Sequence, residues 1–147
     1  MKITEALLAE HLVFHNLFDH FESKLPSLGK LAEIKLLAGL MESMLVSHSA
    51  TEDNLFIGPL DHCFEQLGQR ETFHKEHIEI DANLKRVQQA KTVREARELL
   101  LAAIGYSRRH FDREERVVFP IAERVLKSKT LSDLGKSWLD QRTKIAI

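Results

Sequence analysis

The chain of 147 residues contains a single cysteine, Cys63, which excludes an internal disulfide and a thiolate-built metal site and fits a reducing compartment. Three prolines and six glycines are too few to cut it into short pieces, so long uninterrupted segments remain. No apolar run approaches the roughly 20 residues that a bilayer span requires, and no basic stretch leading into an apolar one opens the chain. The expectation is a cytoplasmic protein with neither membrane span nor targeting segment. No sign of charge prevails, with 21 Lys and Arg against 22 Asp and Glu and a net charge of −1. Without a basic stripe or a basic face studded with aromatics, a nucleic-acid partner is not expected.

What is present is 44% hydrophobic and 29% charged, the composition of a globular domain with its own core. Apolar residues recur at three and four, the helical period, and never alternate for long, so the fold class is all-α. Segment A, about 4–24, carries Leu7, Leu8, His11, Phe14, Phe18, Phe21 and Leu25 on one side and closes at Pro26-Ser27-Leu28-Gly29. Segment B runs from near Lys30 to Phe56 along Leu37, Met41, Met44, Leu45, His48, Glu52 and Leu55, with Gly58-Pro59 as its stop. After a loop or short helix over 61–68, segment C, about 69–90, follows Phe73, His77, Ile80, Leu84 and Val87. Thr92 reads as an N-cap completed by Glu95 for segment D, which reaches about Lys127 along Leu99, Leu100, Ala103, Ser107, His110, Glu114, Val117, Ile121 and Val125. Short A–B and C–D links make two hairpins, hence an antiparallel up-down-up-down four-helix bundle over 1–129. In the tail, 130–147, Leu131, Leu134, Trp138 and Leu139 fit a short fifth helix.

The two halves echo each other. EHLVFHNLF in A resembles EHIEIDANL in C, and HxxxE recurs in B (His48, Glu52) and D (His110, Glu114), followed each time by an apolar pair and a proline. The period is near 62 to 66 residues, which indicates one duplicated hairpin. Both HxxxE pairs fall on the stripe a helix normally buries, where an ionised carboxylate costs several kcal/mol unless a cation sits beside it. Positions i and i+4 share a helix face, so a histidine nitrogen and a carboxylate oxygen can reach the same ion. Counting back from each hairpin turn brings His11 and His15 to the level of His48, and His74 and His77 to that of His110. Six histidines and two glutamates exceed what one ion needs, and the duplication suggests two. Imidazole and carboxylate without thiolate suit iron, manganese, zinc or copper.

As a set, the histidine of A, the HxxxE and proline of B, the Glu-His of C and the HxxxE followed by VFP of D resemble the hemerythrin-like, or HHE cation-binding, family across nearly 4–127. The resemblance implies a non-haem di-iron centre, oxo- or hydroxo-bridged, with zinc or manganese as other occupants. It makes Glu52 and Glu114 the bridges, His48 and His110 terminal ligands, and puts His77 in the helix C position. His74 and His77 are three apart where hemerythrins proper have two histidines four apart, Glu114 stands four after its histidine rather than an aspartate at five, and A offers both His11 and His15. These departures resemble the sensor and repair branches of the family.

The implied partner is a small diatomic or peroxide ligand, for oxygen or redox sensing, nitric oxide response or iron handling. Alternatives are a two-metal hydrolase or peroxidase-like oxidase, and a metal-stabilised bundle whose tail around Trp138 docks a protein partner or a second copy. Residue by residue, the plainer readings are a buried ion-pair network for the HxxxE pairs and hydrogen bonding around the site for His15 and His74. His20 is expected at the surface, His62 and Cys63 in the B–C connection, Tyr106 buried, and the phenylalanines in the core.

Overall fold

The computed structural model describes residues 1–66 and 70–145; within these, the side chains of Cys63, Phe64, Gln66, Arg70, Glu71, Phe73, His74 and Ile145 lie outside the described set. The chain is all-helical. α1 spans Ile3–Lys24, ends in a 3-10 turn at Leu25–Ser27, and passes through an extended Leu28 to α2, Leu31–Thr51. A π-helical turn at Glu52–Ile57 joins α2 to α3, Gly58–Gln66. α4 is Arg70–Gln89 and α5 is Val93–Arg113. A second π-helical turn, Glu114–Val118, leads into α6, Phe119–Val125, and α7 is Ser128–Ile145.

The segment starts follow the sequence signals. Thr92 caps α5 by accepting the Glu95 amide at 3.1 Å, although the Glu95 carboxylate reaches back to the Lys91 amide, one residue beyond the usual capping box. Gly58-Pro59, by contrast, does not stop the helix. A proline inside an α-helix jams against the carbonyl four residues back, but the wider π turn just before it relieves that crowding, and the rod continues to Gln66. The same arrangement carries the second rod through Pro120.

Each π turn opens at the glutamate of an HxxxE pair. The amides of Glu52 and Glu114 are each shared between two carbonyls, His48 and Ser49 in one case, His110 and Phe111 in the other. One extra residue in the turn carries the buried stripe one position further along. Phe56 and Val118 are buried where an unbroken helix would bury Leu55 and Val117, both half-buried here, and Val125 is exposed. Leu8 is also exposed, at the edge of its stripe.

α4 lies along α5, α2 packs on both, and α1 packs on α5, α6 and α7. The apolar residues form two clusters. One joins Phe14, Phe18, Met41, Leu84, Leu100 and Phe111; the other joins Ile3, Leu7, Phe56, Leu60, Val118, Phe119 and Leu131, with Trp138 against it. The tail is thus an 18-residue helix that adds Leu131 to the second cluster. Among the described residues, no helix is long and apolar enough to cross a membrane.

Candidate metal centre

Between the two apolar clusters lies a polar layer. His11 comes from α1, one turn after Leu7 and just before Phe14; His48 ends α2; His110 ends α5; Glu52 and Glu114 open the π turns. All five side chains are buried, both glutamates completely. Glu52 Oε1 faces His48 Nε2 at 2.6 Å and His11 Nε2 at 3.8 Å, while Glu52 Oε2 faces His77 Nε2 at 3.9 Å. Glu114 Oε1 stands 3.0 Å from His110 Nε2 and 3.6 Å from His11 Nε2. Glu52 therefore reaches among three histidines from three helices, and Glu114 between two from two helices.

The outward-facing ring nitrogens explain which way the inner ones point. His48 Nδ1 lies 3.1 Å from Glu10, His110 Nδ1 3.2 Å from Glu76, and His11 Nδ1 3.3 Å from Glu115. A carboxylate only accepts, so in each contact Nδ1 carries the proton and donates. In the neutral ring the Nε2 lone pair then faces the layer's centre, where His110 Nε2 also lies 2.9 Å from His77 Nε2, and this is the arrangement in which histidines bind metals. These three glutamates were not singled out from the sequence. The available signal was the Glu-His dipeptide of segments A and C: Glu10 serves not its neighbour His11 but His48 on α2, and Glu76 serves not His77 but His110 on α5.

The two carboxylates of this layer titrate far apart. Burial and the neighbouring Glu52 carboxylate push Glu114 up to about 8. Burial also opposes ionisation of Glu52, but the charge of His48 and the close approach of His48 and His11 outweigh it and hold Glu52 well below the usual range. Burial works against protonation of His48 and His110 as well, yet the Glu52 charge with the Glu10 hydrogen bond, and the Glu114 charge with that of Glu76, raise each to about 10. His11, dominated by burial, is lowered. Even so, His11 Nε2, His48 Nε2 and all four oxygens of Glu52 and Glu114 have no hydrogen-bond partner. Unpaired buried polar atoms are costly, and six of them in one layer match the donor set of a metal site. Two groups meet the spacing of a metal's ligands, with one atom of each residue within 4.8 Å of the others: His11, His48, Glu52 and Glu114, and again Glu52, His77 and His110. Glu52 belongs to both.

Residues 68–134 match the hemerythrin HHE cation-binding domain. That span takes in α4, α5 and the second π turn, with His77, His110 and Glu114. The HHE match and the unpaired His and Glu atoms agree on a metal-binding helical protein. No curated protein and no solved structure matches the chain.

Of the other histidines, His15 stands apart from the cluster: its Nδ1 accepts from the Arg108 guanidinium at 2.9 Å, in a network with Asp19 and Glu22. The His74 side chain lies outside the described residues. His20 is at the surface as expected, and His62 is exposed on α3. Tyr106 is a correction. It is 37% exposed, with the Arg109 guanidinium 4.8 Å from its ring centre, because it falls on the outer face of α5.

Proposed function

We propose that the chain is a hemerythrin-like antiparallel four-helix bundle that holds a pair of irons and binds or reacts with a small diatomic or peroxide ligand. His11, His48, His77 and His110 would be the imidazole ligands, with Glu52 and Glu114 spanning the two ions. The observation that carries this reading is the set of three histidines whose Nδ1 protons are engaged by Glu10, Glu76 and Glu115 while their Nε2 atoms face two fully buried carboxylates. An iron pair supplies a redox change and a position at which a small molecule can bind.

The protein's own groups do the rest. Phe111 stacks on His11 at 4.0 Å between ring centres and Phe119 at 5.4 Å, so apolar rings pack against this imidazole and hold its orientation. A cavity of about 330 Å³ opens beside His77 and His110, walled by Leu45, Ile78, Ile80 and Phe111. Asp53 and Asp81 line it as well, so it offers a small ligand a partly apolar, partly polar way to the His77 and His110 side. The role proposed for it is oxygen or redox sensing, nitric oxide response or iron handling.

Anaerobic reconstitution with ferrous iron, followed by metal analysis and absorption spectra under argon and then air, tests the proposal. The expected result is about two irons per chain and near-ultraviolet bands that appear on oxidation. Retention of trace iron alone would overturn it.

A further inference from the structure

The duplicated halves differ at one point beside the metal layer. In the second half, Glu76 orients His110 and is itself held by Arg113, Nη1 at 3.3 Å, three residues after that histidine on the same helix. The corresponding residue three after His48 is Thr51, which has no charge to offer Glu10. The missing guanidinium comes from α7. Arg142 grips Glu10 with two nitrogens, Nε to Oε2 at 2.7 Å and Nη2 to Oε1 at 2.9 Å, and a third reaches Ser47 Oγ at 3.4 Å. Its neighbour Gln141 accepts from the Thr51 hydroxyl at 3.3 Å.

We infer that Arg142 is a positioning residue of the metal centre, acting through Glu10 on His48, so that the C-terminal helix completes a site the first half cannot complete alone. The inference rests on the metal reading above. The forked, two-point contact fixes the plane of the Glu10 carboxylate, and the oxygen nearer His48 then fixes the imidazole that points at Glu52. The ion pair is only about one-fifth exposed on either side, so solvent screens it weakly. The role is reciprocal by linkage: if α7 docking favours the metal-ready His48, metal favours the docked α7.

The test uses full-length protein and zinc(II), which is diamagnetic. Arg142→Ala should lower zinc affinity, measured against a competing chelator, by about tenfold; Arg142→Lys should recover part of the loss, and the remote Arg124→Ala should lose none. In the zinc-loaded protein the His48 Nδ1–H resonance should shift or exchange faster in Arg142→Ala while that of His110 stays. Zinc should also slow amide exchange along α7 in the wild type and not in the variant. Wild-type affinity together with an unmoved His48 resonance in Arg142→Ala overturns the inference and leaves the metal reading intact; a wild-type chain that takes up no zinc overturns both. If Arg142→Ala does not fold, Arg142→Lys and Glu10→Gln carry the same comparison, with unchanged affinity in both counting against the role.

Discussion

At the scale of single residues, the chemistry is decided by what faces each oxygen and nitrogen. Glu114, pushed up to about 8, is largely protonated near neutral pH when no metal is bound, and a metal must displace that proton. Glu114→Gln keeps the shape of the protonated form, so metal-free stability should change by less than about 1 kcal/mol, while metal retention falls by more than about tenfold. Paired melting curves with and without zinc check this; a large loss in the metal-free protein would contradict it. A second case lies at the surface, where Glu123 accepts from the Thr4 hydroxyl and pairs with Lys2 Nζ at 3.2 Å, ties that hold its carboxyl below the ordinary 4.5. A folded value below the unfolded one stabilises above that pH and is lost as pH falls. Glu123→Gln should therefore cost under about 1 kcal/mol at neutral pH, since the pair is solvent-screened, and nothing once the pH is well below 4.5. Urea midpoints of both proteins at neutral and acid pH would show the gap closing.

At the scale of elements, the two π turns and α7 matter most. The HxxxE pairs announced which residues would face inward, and His48 with Glu52 and His110 with Glu114 do so. The π turns themselves were not legible: the extra residue leaves no mark in the apolar period except the misplacement of Leu55 and Val117. Gly58-Pro59 looked like a stop because the rule for proline assumes an α-helical turn before it. α7 depends on a close approach. A Cβ on Gly135 would stand 1.9 Å from the Met1 carbonyl oxygen and 3.0 Å from its carbon, backbone atoms that no side-chain rotation can clear. Alanine gains up to about 1 kcal/mol of helix propensity over glycine, whereas overpacking of this kind costs about 1–3 kcal/mol. Gly135→Ala should thus destabilise, and protease should cut within α7 sooner than in the wild type. Equal resistance would show that the N-terminal residues yield instead.

At the scale of the whole molecule, a layer of buried charge separates two apolar clusters, and the fold carries that layer only with its cost offset. Chelation of the bound metal should lower the melting temperature by about 2 to 4 °C per kcal/mol of lost binding energy in a chain of this size. At a hundredfold excess of free metal over Kd that energy is about 2.7 kcal/mol. Calorimetry across a zinc titration should give a midpoint rising with the logarithm of free metal; a flat response would mean that the layer is stable without an ion.

The sequence by itself determined the helical class and the inward placement of the HxxxE pairs, because both follow from spacing along one helix, whereas the end of segment B did not. Which carboxylate holds which histidine was decided only by tertiary structure. Glu10 and His48, Glu76 and His110, Glu115 and His11 lie on different helices, and no local period encodes the rotation of one rod against another. The same holds for Arg142, 132 residues from its partner: the absent arginine at position 51 is visible in the sequence, but what fills its place depends on where α7 packs.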